Sequence, residues 1–257
     1  MRRVFLVFFI LMILSVILSI ASNITPSVIT KALNSKEVQF AVFLSLKSAL
    51  VATILALIVG VPTAYTLARS NFALKELVDS LVDLPVVLPP LISGFGLLLF
   101  FGDTPIGKFI SSYINVIFTP LGIIVAQFFI ATPFVIRTVR AVFENIDPKY
   151  ELVAMNLGAS KTECFFNIVL PMARKGILAG AILAWARCMG EFGATLMLAG
   201  ATRMRTETLP IAVYLNISIG NINLALAISL IMLTIAVLTI ASIKIIVGGF
   251  NVGNIRG

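Results

Sequence analysis

Residues 4–21, VFLVFFILMILSVILSIA, form an unbroken apolar run of 18 residues behind Arg2 and Arg3. At 1.5 Å per helical residue such a run crosses most of a bilayer's hydrocarbon core. It resembles the apolar centre of a secretory leader but exceeds the usual length, so it reads as an uncleaved first span. Five further apolar stretches predict spans at about 38–68, 84–102, 114–136, 176–200 and 224–247. Lys47 interrupts the first of these and reads as an interface snorkeller. Pro89, Pro90, Gly94 and Gly96 interrupt 84–102, which is expected to be kinked or locally unwound. Leu209 to Ile219 is apolar but too short to cross, which predicts an interfacial or re-entrant segment.

Composition points the same way. Of 257 residues 60 % are hydrophobic and 12 % charged, too few charges to solvate a globule of this length. The expected fold class is all-α: a polytopic membrane protein with six transmembrane helices, forming a single transmembrane domain over 1–257. Histidine is absent, which removes His-dependent triads, His zinc sites and histidine proton relays. Cys164 and Cys188 make neither a disulfide framework nor a four-ligand site, so both read as reduced packing residues and no metal site is expected.

The net charge of +8 is a topology signal here, and no nucleic-acid partner is expected. With the N-terminus inside, the inner side holds Arg2, Arg3, Arg69, Lys75, Arg137, Arg140, Lys149, Lys161, Arg174, Lys175, Lys244 and Arg256. The outer side holds Lys31, Lys36, Lys108, Arg203 and Arg205. Twelve against five predicts a multi-pass protein of the cell membrane with both termini cytoplasmic. The loop after the fourth span is then cytoplasmic. About ten residues follow the sixth span, so no C-terminal regulatory domain is expected.

That loop, ENIDPKYELVAMNLGASKTECFFNIVLPMARKG, is the longest polar interruption. Asp147 before Pro148 fits a helix start, and Gly158 supplies a left-handed stop. Ser160 and Glu163 make the S-x-x-E capping box of a second helix, expected to end near Pro171. This second helix carries Phe165, Phe166, Ile168, Val169 and Leu170, a costly exposure in water unless covered. Some should pack on the chain's own spans. For the remainder two readings stand: an amphipathic helix on the bilayer surface, or a docking helix for a cytosolic partner, whose movement a stiff helix pair would transmit to the spans.

Tyr150-Glu151-Leu152-Val153-Ala154-Met155-Asn156-Leu157-Gly158-Ala159-Ser160, followed by Phe165-Phe166 and Leu170-Pro171, resembles the EAA loop of permease subunits in ABC-type importers. Leu152 and Val153 depart from the pattern's Glu and Ala, leaving Glu151 as a neighbouring glutamate. LPVVLPPLISGFGLLLFFG (84–102) and ILAGAILAWARCMGEFGATLMLAG (177–200) are similar to the third and fifth helices of molybdate/tungstate permeases, with sulfate permeases as close relatives. Gly190 to Met197 tilts the resemblance towards molybdate and tungstate. The similarity runs over about 40–248, a core permease region with its coupling loop at 147–171.

The resemblance implies a type I ABC importer permease fold and a homodimer. It also implies two cytosolic ABC ATPase subunits on the loop helices and an extracellular or periplasmic oxyanion-binding protein. ATP and Mg would then reside on the partner ATPase, with no cofactor and no catalytic residue on this chain. It assigns ATPase coupling to Glu151, Ala154, Gly158, Ala159, Ser160, Glu163, Phe165, Phe166, Leu170 and Pro171.

Other residues allow two readings each. Arg187 and Glu191, four apart in the fifth span, can pair; their insertion cost argues that they face protein or water, as a brace or as a gate. Gly94, Gly96, Gly190 and Gly193 suit close helix contact. Alternatively Pro89, Pro90, Ser93, Gly94 and Thr195 line a wet path in which hydroxyls and freed backbone N–H groups serve a tetrahedral dianion. Arg203 and Arg205 are ordinary loop charge or a docking point for the binding protein. Gly102 to Phe109 is a near-miss for a phosphate loop, with Phe109 in place of Ser or Thr and no strand before it. Beyond the family, the alternative is a stand-alone secondary anion transporter or channel using Lys47, Arg187 and Glu191.

Overall fold

The computed structural model describes residues 2–248, with side chains described for 4–242. The side chains of Arg2, Arg3 and Lys244, and the whole of Arg256, which entered the charge count, lie outside the described residues. Every regular element among the described residues is helical: α1 (Arg2–Ser22), α2 (Pro26–Leu33), α3 (Lys36–Arg69), α4 (Lys75–Val87), α5 (Pro90–Asp103), α6 (Pro105–Tyr113), α7 (Pro120–Glu144), α8 (Lys149–Asn156), α9 (Lys161–Cys164), a π turn (Phe165–Val169), α10 (Leu170–Met189), α11 (Gly193–Ala199), α12 (Leu209–Ser218) and α13 (Ile222–Gly248). Among the described residues five helical stretches, Val4–Ser22, Lys36–Arg69, Pro120–Glu144, Lys161–Met189 and Ile222–Ser242, are long and apolar enough to cross a membrane; α4 and α5, bent by 110° at the break between them, reach that length and apolarity only together, as a broken span or a re-entrant loop.

Three expected spans differ in detail. The kink expected in 84–102 is a full break at Leu88 and Pro89, while Gly94 and Gly96 stay helical. Leu88 is extended (φ −67°, ψ 136°) because a following proline disfavours helical backbone there. The fourth span starts at Pro120 rather than 114, proline being well tolerated in a first turn. The fifth belongs to a helical stretch that starts at Lys161 and breaks after Met189, leaving Glu191 between α10 and α11 rather than on one continuous helix with Arg187. Helices α2 and α6, and α4 before residue 84, have no counterpart among the expected elements.

The described residues cluster into two compact units, each made of two separated stretches. The first comprises the chain up to Ser45 and Ala201–Leu238. In it Glu37 at the start of α3 pairs with Arg203 (Nη1 to Oε1, 2.7 Å) and accepts from Asn216 of α12 (3.2 Å), while the Leu209 N–H donates to Ser45 Oγ (2.8 Å). Helix α1 is apolar all round and its span is unburied within the protein, a surface that requires lipid.

The second unit, Leu46–Gly200 with the stretch from Thr239, holds the larger core. Lipid tails are as apolar as leucine, so helices in a bilayer associate through close packing of small residues. On α10, a Cβ at Gly176 would lie 2.2 Å from Val142 Cγ2 of α7, and one at Gly180 3.2 Å from Val139 Cγ2. Between α5 and α11, a Cβ at Gly94 would meet the Ala194 Cα at 2.5 Å, and one at Gly193 the Leu91 nitrogen at 2.9 Å. Gly94 and Gly193 are therefore packing glycines. Gly96 has open space beside it and Gly190 has only the Ala186 oxygen at 3.8 Å, so the close-contact expectation fails for both.

Helix α4 inverts the pattern of a soluble surface helix. Asp79 and Asp83 pair with Arg140 and Arg137 of α7, whereas Leu77, Leu81 and Leu84 are exposed. That arrangement is stable where the outer surroundings are apolar. Residues 102–109 are divided between α5 and α6, with no strand before them, so the phosphate-loop resemblance has no structural counterpart.

Candidate functional site

The loop between α7 and α10 is an ordered double helix. Asp147 Oδ1 accepts from the Lys149 N–H (2.9 Å) and opens α8. Gly158 closes it at φ +96°, with the Ala159 N–H returned to the Ala154 carbonyl (3.0 Å) and its own N–H to Met155 (3.0 Å). Only glycine holds such a φ without strain. Ser160 then forms the expected capping box: the Glu163 N–H reaches Ser160 Oγ (3.2 Å), and Glu163 Oε2 accepts from the Ser160 N–H (2.7 Å) and hydroxyl (2.8 Å). All three devices stand where the sequence placed them.

Pro171 does not end the second helix. From Lys161 to Met189 the chain stays helical, through the π turn in which the Leu170 N–H bonds to the Phe165 carbonyl. A proline clashes with the carbonyl four residues back in an α frame; the wider π frame just before it relieves that conflict. Helix α9 thus continues into α10 with no loop between them.

The loop's apolar residues divide. Phe165 packs on Tyr65 (ring centroids 4.7 Å apart), and Cys164 and Val169 are buried. Phe166 is 58 % exposed and Leu157 84 %, with Tyr150, Leu152 and Val153 also open. Ala154, Ala159 and Leu170 are half-buried, and Gly158, Ser160, Glu163 and Pro171 are exposed. Glu151 turns inward: it is buried, accepts from Arg69 Nε (2.7 Å) and from the Tyr65 hydroxyl, and shows almost nothing to the outside. Within the coupling loop, Glu151 is therefore tied to α3 of its own chain.

A second cluster surrounds the break between α10 and α11. Glu191 is 1 % exposed; Oε1 accepts from the Ala194 N–H (2.9 Å), and Oε2 lies 2.6 Å from Arg187 Nη1. The pair forms even though Glu191 has left the helix, because Glu191 caps the start of α11. Pro89, Pro90, Leu91, Arg187, Gly190, Glu191, Phe192 and Gly193 line a cavity of about 320 Å³. Ser93 and Thr195 are buried on α5 and α11, and neither hydroxyl has a hydrogen-bond partner among the described residues. Gln127, which the sequence reading missed, donates to the Cys188 carbonyl (3.0 Å) at the end of α10, which also accepts from the Glu191 N–H (3.1 Å).

In the loop before α12, Arg203 is held by Glu37, whereas Arg205 is exposed. Glu207 is fully buried and accepts from the Met204 N–H (2.9 Å); burial first, and Glu37 beside it, push its carboxyl above the usual range. Among the described residues no group of three or more Cys, Asp or Glu side chains is placed to hold a metal ion. Cys164 and Cys188 are both buried and free.

The geometry meets close relatives in sequence and more distant ones in fold. The probable transport system permease protein NifC of Clostridium pasteurianum is 42 % identical over 176 residues, 67 % of this chain and 62 % of that protein. The molybdenum transport system permease protein ModB of Mycobacterium tuberculosis is 35 % identical over 80 % of this chain and 78 % of its own length. The sulfate transport system permease protein CysT of Escherichia coli is 33 % identical over 86 % and 80 %. A bacterial alginate ABC transporter, solved with an alginate pentasaccharide-bound periplasmic protein, shares the fold at a TM-score of 0.69 and 16 % identity, covering 93 % of this chain and 89 % of that one. Residues 52–251 match the model of the binding-protein-dependent transport system inner membrane component, and the chain belongs to that family as an ABC importer permease.

Proposed function

We propose that this permease carries molybdate or tungstate, delivered by an external binding protein, through a homodimer driven by two cytosolic ATPase subunits. ATP and Mg belong to those subunits. The observation that carries the reading is the stiff loop: a capped double helix, continuous with α10, presenting Leu157 and Phe166 to solvent. Exposed apolar residues on a rigid mount suit a protein partner, and every movement of the mount is passed to the span. The twelve-to-five charge asymmetry supports a cytoplasmic side for that loop and for both termini.

The cavity at the α10/α11 break is the proposed gate. Its arginine attracts an anion, while Glu191 keeps the attraction weak enough for release. Ser93 and Thr195 are buried donors whose hydrogen-bonding capacity the protein leaves unspent, as transient contacts to a tetrahedral dianion require. Exposed Arg205 is the better docking contact for the binding protein; Arg203 contributes more to the protein's own ion pair.

Sulfate is the second reading, favoured by the 33 % identity to CysT against 35 % to ModB. Uptake of labelled tungstate by the reconstituted complex, challenged with excess molybdate and then excess sulfate, separates them. Competition by molybdate alone supports the first reading; equal competition by sulfate replaces it.

A further inference from the structure

Two spans are joined to the coupling loop through the chain: α7 through residues 145–148, and α10 through the unbroken helix from Lys161. Helix α3 has no such connection. Its last turn lies 82 residues before Glu151 in sequence, yet it grips the loop on both sides of the Gly158 elbow. Arg69 Nε donates to Glu151 Oε1 (2.7 Å), Arg69 Nη2 to the Ile146 carbonyl (2.7 Å), and the Tyr65 hydroxyl to Glu151 Oε2. Beyond the elbow, the Tyr65 ring packs on Phe165 at 4.7 Å and on Phe143, at the end of α7, at 5.6 Å.

We propose that Tyr65, Arg69 and Glu151 are positioning residues that fasten α3 to the coupling loop as a third arm, so that α3 moves with α7 and α10 whenever a partner displaces the loop. Burial and geometry carry this. The Arg69 and Glu151 side chains are 15 % and 10 % exposed, so water screens their attraction little, and separating them would leave a poorly solvated charge on each helix. Both Glu151 carboxylate oxygens are engaged by α3, which leaves the residue tied to its own chain rather than to a partner. The aromatic contacts add a second attachment on α9's side, so the elbow cannot rotate on α3 without breaking one of the two. Other ion pairs on α7, Asp79–Arg140 and Asp83–Arg137, hold α4 and do not reach the loop.

The inference rests on the ATP-driven reading above, and its test separates the two. In proteoliposomes holding permease, ATPase and binding protein, E151Q keeps the size of the glutamate and removes its charge. The expected result is unchanged ATPase binding with at least a several-fold rise in ATP hydrolysed per tungstate carried, and partial recovery in the R69E/E151R double variant. Wild-type stoichiometry in E151Q overturns the clamp, and loss of ATPase binding overturns it too, by assigning Glu151 to the partner interface.

A spin-label pair at N71C and K149C, with Cys164 and Cys188 replaced by serine, reads the clamp without any transported ion. One narrow distance, unchanged by ATP in the complex and broadened by E151Q, supports it. A distance that changes with ATP in the unmutated clamp contradicts it. If wild-type complexes carry no oxyanion but the distance behaves as expected, the functional reading fails and the clamp stands.

Discussion

The coupling loop and the α10/α11 break are both interruptions of helical spans, and they treat polar groups in opposite ways. In the loop the exposed backbone is closed by Gly158, the capping box and the π turn, and Glu151 has both oxygens occupied. At the break a charged pair lines a cavity, and Ser93 on α5 and Thr195 on α11, each two residues along the chain from its lining, are buried without partners among the described residues. Satisfying every group makes a segment stiff, whereas buried hydroxyls left over give a passing solute something to bind. On the proposed reading, the stiff interruption carries force and the one with unspent hydroxyls carries the ion.

The largest expected effect breaks the stiff side. Proline cannot reach the φ of +96° at Gly158. The strain of about 1–3 kcal/mol that this imposes is enough to misplace the second helix and to cut ATP-driven uptake by roughly tenfold or more. Uptake should fall while protease mapping shows the spans still inserted. Normal uptake in Gly158→Pro would mean that the elbow does not transmit force.

Next comes the charged pair at the break. Arg187→Met leaves the buried Glu191 without its cation, at a cost of about 3 kcal/mol, the lower end of the range because Arg187 is 28 % exposed. Adding Glu191→Gln should recover most of the loss in thermal unfolding. A double variant less stable than the single one would show that Glu191 holds the start of α11 mainly through its charge.

The hydroxyls sharpen the comparison furthest, because stability and transport should separate. Ser93→Ala and Thr195→Val remove buried hydroxyls that no atom of the described residues engages, so stability should hold or rise in each. Slower oxyanion passage at unchanged ATPase binding is expected. If stability drops instead, the hydroxyls are packing elements and the path lies elsewhere.

The smallest effect lies in the loop before α12. Glu207's raised carboxyl titration favours the folded state when it is protonated; that contribution is present below the ordinary carboxylate range and is lost as pH rises through the raised value. Glu207→Gln should therefore flatten the pH dependence of thermal unfolding upward from about pH 4, measured with Glu37 and Arg203 intact. An unchanged profile would show that Glu207 is not the titrating group.

The parts legible in the sequence were those governed by local chemistry. Gly158 and the Ser160–Glu163 spacing specify backbone geometry within four residues, and the apolar runs specify spans by length alone. Pro171 misled because its effect depends on the frame of the turn before it, which the π turn changes. The break after Met189 carries no proline; it follows from packing, with Gly193 set against Leu91 and Glu191 capping α11. The sequence shows Glu151 in the loop but not its partners, since Tyr65 and Arg69 lie on a helix far away in sequence. Helices α2 and α6, and α4 before residue 84, are too short or too mixed in character for periodicity to reveal.

The most direct measurement is tungstate accumulation in proteoliposomes containing the permease and the loaded binding protein, with and without the cytosolic ATPase. Accumulation against a gradient only when ATPase and ATP are both present is the expected result. Accumulation by the permease without the ATPase would contradict the account, because the loop would then have no driver to transmit.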